Sequence, residues 1–239
     1  MSDKTLEEFN NNFKILANSY RDRNLTRETI VSYIDHTLLK QDAIRNDIVK
    51  LTNEARKYKF IAVCINPYYV SLAKKELSGS SILIASVIGF PLGATSNIIK
   101  IKEVVKAIED GADEIDMVMN NGAFKDHNYN YVEKEIKSIV LEGAKVKVII
   151  ETCLLTDEEK IIATKIVKNS GASFVKTSTG FNSTGATVRD VSLLKFIAGK
   201  DLEVKASGGI RDYETAKRMI FAGATRIGVS KGIKIVGKE

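Results

Sequence analysis

A loosely spaced repeat narrows the fold of this chain more than any other feature. Gly-Ala stands at 111–112, 143–144, 171–172 and 223–224, and Ala198-Gly199 occupies a comparable place. From Gly111 to Gly143, Gly171, Gly199 and Gly223 the steps are 32, 28, 28 and 24 residues. Each step holds one strand and one helix. Glycine at the joint suits the left-handed residue that ends a helix. Eight short apolar stretches serve as strands, at 33–37, 60–65, 82–88, 113–118, 145–150, 173–176, 202–206 and 225–229.

Helical spacing fills the gaps between them. The candidate buried faces are Ile44, Ile48, Leu51 and Ala55; Ile98, Ile101, Val105 and Ile108; Val132, Ile136, Ile139 and Val140; and Ile161, Ile162, Lys165 and Ile166. Thr156-Asp157-Glu158-Glu159 reads as a capping box, and Thr187 to Asp190 as a looser one. No linker or low-complexity run interrupts the pattern. Eight such units predict an α/β fold, a (βα)8 or TIM barrel. A doubly wound open sheet is the competing fold. It is weakened because no Gly-x-Gly-x-x-Gly follows any strand.

Ahead of the repeat, Leu6, Phe9, Phe13, Leu16, Ala17 and Tyr20 predict a helix over 5–21. Thr26 begins a second short helical stretch ending near Val31. The expected organisation is one domain over 1–239, with a helical extension at 1–31 and the barrel at 32–237.

Composition excludes several functions. Hydrophobic residues make up 44% of the chain, enough for a sizeable core. No apolar run approaches the roughly 18–20 residues of a membrane helix. The start of the chain, with Asp3, Lys4, Glu7 and Glu8, does not read as a signal peptide. Cys64 and Cys153 fit no disulfide or zinc spacing, so a cytoplasmic setting is expected. The net charge is +6. Its lysines are scattered among acids, with no basic block carrying interleaved aromatics. That argues against nucleic acid and for anionic small substrates, or solubility alone.

In a barrel, functional residues stand at the C-terminal ends of the strands. Those ends read Asp35-His36-Thr37, Cys64-Ile65-Asn66, Gly89-Phe90-Pro91, Asp116, Glu151-Thr152-Cys153, Lys176, Lys205 and Gly228-Val229-Ser230. Within Glu114-Ile115-Asp116-Met117-Val118, alternation puts Asp116 in the barrel mouth and Ile115 and Met117 against helices. Lys176 and Lys205 end adjacent strands, about 4.8 Å apart. Burial and a neighbouring cation both lower a lysine pKa, as a Schiff-base lysine requires. A second reading pairs one lysine with Asp116 and gives the other to a phosphate. Spacing alone leaves both open.

Ser207-Gly208-Gly209-Ile210-Arg211 and Gly228-Val229-Ser230-Lys231-Gly232 follow the seventh and eighth strands. Glycine lets backbone N–H groups approach an anion, and barrels often hold phosphate at these two loops. Cys64 and Cys153 read as small buried residues rather than nucleophiles, because neither has a histidine nearby in sequence. His36 and His127 do not form a metal pair and no other ligand cluster supports one, so no metal is expected. His36 reads as a residue that orients the first strand. No flavin or nicotinamide fingerprint occurs, and no cofactor is expected.

These residues resemble the deoxyribose-phosphate aldolase family over roughly residues 31–237. The resemblance rests on Ile34-Asp35-His36-Thr37-Leu38-Leu39-Lys40, Val63-Cys64-Ile65-Asn66-Pro67, Val87-Ile88-Gly89-Phe90-Pro91-Leu92-Gly93 and Glu114-Ile115-Asp116-Met117-Val118. Ile150-Glu151-Thr152-Cys153-Leu154-Leu155, the Lys176 and Lys205 stretches and Arg226-Ile227-Gly228 complete it in order. It implies a metal-free class I aldolase that cleaves 2-deoxy-D-ribose 5-phosphate reversibly to acetaldehyde and glyceraldehyde 3-phosphate. By motif, Lys176 forms the Schiff base, Lys205 lowers its pKa and joins a proton relay, and Asp116 assists proton transfer through water. Thr37 and Cys64 line the acetaldehyde end. Gly180, Gly208, Gly209, Gly228 and Ser230 hold the phosphate. The resemblance also implies a homodimer or homotetramer. The family usually has a small residue after the loop serine, where this chain has Lys231. Two other readings share the phosphate loops: a different phosphate-sugar barrel enzyme, aldolase or isomerase, and a non-catalytic phosphate-binding barrel.

Overall fold

The computed structural model describes residues 2–17 and 24–237. Eight parallel strands pair in sequence order, and the last closes on the first. They are β1 (Ile34–Leu38), β2 (Ala62–Ile65), β3 (Leu83–Ile88), β4 (Glu114–Val118), β5 (Lys145–Ile149), β6 (Phe174–Lys176), β7 (Glu203–Ser207) and β8 (Arg226–Val229). Each lies within two residues of its predicted bounds. The helices are α1 (Ser2–Leu16), α2 (Arg45–Tyr58), α3 (Val70–Glu76), α4 (Asn97–Glu109), α5 (Asn121–Lys125), α6 (Tyr129–Val140), α7 (Asp157–Asn169), α8 (Val188–Ala198), α9 (Tyr213–Phe221) and α10 (Gly232–Ile235). No helix among the described residues is long and apolar enough to cross a membrane.

The closed sheet separates two chemistries by residue parity. Outward side chains, among them Val63, Ile84, Ile115, Met117, Val148, Val175 and Val204, are buried in one apolar cluster with the helices. Each such burial contributes about 1.5–3 kcal/mol. Both predicted caps form: Thr156 and Glu159 make a reciprocal capping box on α7, and Thr187 caps α8 by accepting from the Asp190 N–H. The joint glycines 111, 143, 171, 199 and 223 all have positive φ, the conformation that made glycine the expected residue there. His36 faces outward, its Nε2 2.7 Å from Glu54 Oε2, and so ties β1 to α2.

Three local expectations change. The stretch from Thr26 is not an α-helix; it forms a turn followed by one 3-10 turn, Ile30–Tyr33. Thr26 and Thr29 explain this. The Thr29 hydroxyl accepts from the Thr26 N–H and donates to the Asn24 carbonyl, and such local bonds compete with the helix. On α4 the buried face is Lys100, Val104 and Ala107, while Ile98 and Val105 are exposed. Lys100 turns inward because Glu135 and the Val118 carbonyl receive its ammonium at 2.8 and 2.9 Å. On α2, Ile48, Leu51 and Ala55 are buried as expected, but Ile44 sits at the N-cap, exposed.

Helix α1 occupies the first part of the predicted 5–21 helix; residues 18–21 of that helix lie outside the described residues. Its Phe9 is buried against Ile161 of α7 and Leu193 of α8, with Leu6, Phe13, Leu16 and Phe196 around it. The Arg189 guanidinium lies 5.3 Å from the Phe9 ring centre and donates to Asn10 Oδ1.

Candidate active site

The parity that turns Asp116 inward does the same for Asp35, Glu114, Lys147, Lys176, Lys205 and Arg226, which fill one side of the barrel interior. All seven are buried, the most exposed being Arg226 at 5%. Asp116 Oδ2 accepts from Lys176 at 2.7 Å and from Lys205 at 2.6 Å, and its Oδ1 accepts from Lys147 at 2.9 Å. Lys205 also donates to Asp35. Lys147 reaches Glu114 at 2.6 Å. Arg226 bridges Glu114, at 3.0 Å, and Asp35, at 2.6 Å.

These contacts close a ring of alternating charge: Asp35, Arg226, Glu114, Lys147, Asp116, Lys205 and back to Asp35. Three carboxylates face three cations, so the ring is neutral. A charge buried without a partner is costly, and here every ring member has two. Lys176 is the seventh member and hangs from Asp116 alone. If protonated, it gives the cluster an unbalanced positive charge.

The titration directions follow. Burial lowers the Lys176 pKa, and the Lys205 charge acts the same way against the opposing pull of Asp116. Burial would lower Lys205 too, but Asp116 and Asp35 outweigh it and hold its ammonium above the ordinary lysine range. Burial would raise Asp116, yet Lys147, Lys176 and Lys205 keep its carboxyl well below the usual carboxylate value. The Cys64 thiol, 3.8 Å from Asp116, is pushed up to about 11 by burial and by that carboxylate. At neutral pH it is a thiol, not a thiolate nucleophile.

Above this cluster lies a cavity of about 280 Å³. Lys176 alone of the seven charged groups reaches it. Thr37, Gly180, Gly208, Gly209, Gly228 and Ser230 line it together, as do Phe181 and Arg211. Asp116, Lys205 and Cys64 lie beneath the floor. Two loops form the glycine-rich wall by stacking backbone on backbone. A side-chain carbon on Gly185 would sit 2.2 Å from the Gly208 carbonyl, so only glycine permits this approach. The Ser207 hydroxyl donates to the Ser178 carbonyl at 2.6 Å, and the Thr177 hydroxyl to the Ser207 carbonyl at 3.1 Å.

Glu151 braces the Lys176 loop from β5. It is buried and adopts a left-handed conformation, φ 56°, which is rare and strained for a residue with a side chain. Its carboxylate accepts from the Thr179 hydroxyl at 2.5 Å and from the Thr179 N–H at 3.3 Å. Lys231, by contrast, faces away from the mouth cavity. It lines a neighbouring cleft of about 450 Å³ with Lys40, Lys50, Lys234 and Glu54, which shares only Thr37, Leu38, Lys40 and Ser230 with the mouth.

Lys176, Lys205 and Asp116 meet in one cluster and the expected glycines line the cavity above it; Asp35, Glu114, Lys147, Arg226, Glu151 and Gly185, which join them, were not expected from the sequence as site residues. Lys147 carried a usable signal, the Lys145-Val146-Lys147-Val148 alternation, which repeats the argument made for Asp116. Glu151 and Gly185 carried none beyond their places after strands.

A buried amine at the floor of the cavity, with its pKa lowered by burial, suits one chemistry above others, condensation with a carbonyl. The class that fold and site define is therefore a lysine-dependent, carbonyl-condensing barrel enzyme. The comparisons agree. The sequence model of the DeoC/LacD family aldolases matches residues 29–238, and the chain belongs to that family. A deoxyribose-phosphate aldolase of Thermococcus gammatolerans is 57% identical over 213 residues, covering 87% of this chain and 95% of that one. One from Clostridium tetani is 56% identical over 210 residues, covering 87% and 97%. The tetrameric deoxyribose phosphate aldolase of Aeropyrum pernix superposes with a TM-score of 0.84 at 34% identity, covering 93% of this chain and 96% of that one.

Proposed function

We propose that the protein catalyses the reversible aldol cleavage of 2-deoxy-D-ribose 5-phosphate to acetaldehyde and D-glyceraldehyde 3-phosphate. The observation that carries this reading is Lys176, the one member of the buried charged cluster that reaches the mouth cavity, left over from a neutral ring. Lys176 Nζ attacks the sugar aldehyde at C1, and water leaves to give a protonated imine. Loss of the C3 hydroxyl proton breaks the C2–C3 bond. Its electron pair enters the imine and forms an enamine, and glyceraldehyde 3-phosphate departs. Protonation at C2 and addition of one water release acetaldehyde and restore Lys176.

Asp116 and Lys205 serve the proton steps. Asp116 lies under Lys176 with no exposed surface, so its proton traffic with substrate runs through an entering water. Lys205 stays protonated and repels a second charge on Lys176. Thr37 lines the acetaldehyde end with Cys64 behind it, and Gly180, Gly208, Gly209, Gly228 and Ser230 offer backbone N–H groups and a hydroxyl to the phosphate. The assembly is a homo-oligomer, dimer or tetramer, a reading supported by the tetrameric Aeropyrum pernix relative. The setting is cytoplasmic, in keeping with two free cysteines.

The test measures acetaldehyde released from deoxyribose 5-phosphate, with and without chelator, and maps the acetaldehyde adduct trapped by borohydride. The expected result is turnover insensitive to chelator and an adduct on Lys176. No turnover, or an adduct mainly on Lys205, overturns the reading.

A further inference from the structure

The geometry points to Glu114 and Arg226 as positioning residues that set the charge on Lys176 without touching the substrate: they close the ionic ring beneath it and hold that ring neutral. This rests on Lys176 being the imine-forming amine. Glu114 and Arg226 begin β4 and β8, at the end of the barrel away from the mouth, and neither lines the mouth cavity. Phe174 packs beside Arg226 and Lys147 on the inner face. It precedes Lys176 by one inward position, and the Arg226 guanidinium and the Lys147 ammonium lie 5.6 and 5.9 Å from its ring centre.

The charge balance makes the argument. Titratable and charged groups turn toward the cluster from seven of the eight strands: Asp35, Cys64, Glu114 and Asp116, Lys147, Lys176, Lys205 and Arg226. The inward residues Ala85 and Val87 of β3 carry none. Glu151, at the end of β5, is engaged by Thr179, and Lys40 and Arg211 stand at the cavity rim. With Glu114 and Arg226 both present, the ring under Lys176 sums to zero. Without Arg226 it becomes an anion that favours the ammonium; without Glu114 it becomes a cation that favours the free amine. Arg226 lies two strand spacings from Lys176, roughly 10 Å. At an effective dielectric near 20, one charge at that range moves a titration by on the order of one pH unit.

The opposite signs make the test sharp, since structural damage does not reverse direction with the charge removed. React enzyme and acetaldehyde across a pH series, quench into borohydride at one fixed pH, and measure adduct on Lys176. Arg226→Met is expected to shift the adduct profile to higher pH by about one unit. Glu114→Gln is expected to shift it to lower pH by a similar amount. The double variant, neutral again, and Arg226→Lys, which keeps the charge, are expected to hold the wild-type profile. Shifts of the same sign in both single variants, or no shift in either, overturn the inference. If the single variants do not fold, the double variant and Arg226→Lys decide alone, and a displaced profile in either overturns it. Absence of any Lys176 adduct in the wild-type protein instead defeats the proposed function, which separates the two failures.

Discussion

The two faces of the barrel sheet obey opposite rules. Outward residues such as Ile115, Met117, Val148 and Val175 are apolar and packed against helices. Inward residues on the same strands, Glu114, Asp116, Lys147 and Lys176, are ionisable and joined by buried contacts. Exchanging one outward aliphatic for another of similar volume is tolerated. Exchanging one inward ring charge leaves its neighbours short of a buried partner and the ring no longer neutral, which costs several kcal/mol. Even inside the barrel the chemistry is divided. Cys64, Ala85, Val87 and Leu39 form a small apolar patch with Phe90, while β1 and β4 to β8 supply the ions. The outer face holds the fold; the ionic inner face spends stability on a reactive amine.

The largest expected effect breaks this contrast outright. Lys176→Leu should abolish acetaldehyde release, a loss of roughly 10⁴–10⁶-fold typical of removing a covalent nucleophile, with an unchanged circular dichroism spectrum. Met117→Ala, one residue outward from Asp116, should do the reverse. It should lower stability by about 2–5 kcal/mol while each folded molecule keeps its kcat. If Met117→Ala abolished kcat with little loss of stability, the two faces would not be functionally distinct.

Next come the proton-handling residues. Asp116→Asn should slow exchange of the acetaldehyde methyl protons with solvent by about 10²–10⁴-fold. Burial is the main cause of the lowered Lys176 pKa, and Lys205→Leu removes the cation that adds to it. Imine formation, which needs the neutral amine, should then begin at higher pH than in the wild-type protein. Near wild-type rates for both variants at neutral pH would make the pair structural.

How much of this was legible follows from what alternation encodes. It gives the face of a strand residue, not its depth or partners. Asp116 and Lys176 stood out because each is a charge set among apolar neighbours. Lys145 and Lys147 share a face, yet Lys145 is exposed and Lys147 is buried; only the closed barrel distinguishes them. The ring joins Asp35 to Arg226 across 191 positions of sequence, and no local pattern records that meeting. The α4 face was misread for a related reason. A lysine counts as polar in any periodicity, but Glu135 makes Lys100 a core residue. The glycine loops were legible because their chemistry is backbone chemistry, carried by one residue type.

A smaller effect separates those glycines. Gly208 has φ 82°, and an added carbon there would lie 2.9 Å from Gly185 Cα; at Gly209, φ 77°, nothing lies within 4 Å. Gly208→Ala must push the two loops apart and should raise KM for deoxyribose 5-phosphate more than for unphosphorylated deoxyribose. Gly209→Ala adds only the left-handed penalty, about 1–2 kcal/mol, and should reduce stability with a smaller change in KM. Equal KM changes from the two would mean that loop stacking does not shape the proposed anion site.

The smallest expected effect is at Lys231, directly after Ser230. The structure puts this exposed lysine in the cleft beside the mouth, with Lys40, Lys50 and Lys234, rather than in the mouth itself. Its head group is therefore solvated, and an exposed charge of this kind contributes only about 0.2–1 kcal/mol. Any attraction for a dianionic substrate acts through solvent and weakens as salt shortens the Debye length from about 10 Å at 0.1 M. Lys231→Ser should raise KM for deoxyribose 5-phosphate by less than about fivefold at low ionic strength. It should have no effect at high salt, and none on unphosphorylated deoxyribose at either. A larger loss that persists at high salt would mean that Lys231 swings into the mouth and grips phosphate directly. The anion site would then be shared between a side chain and the glycine backbone.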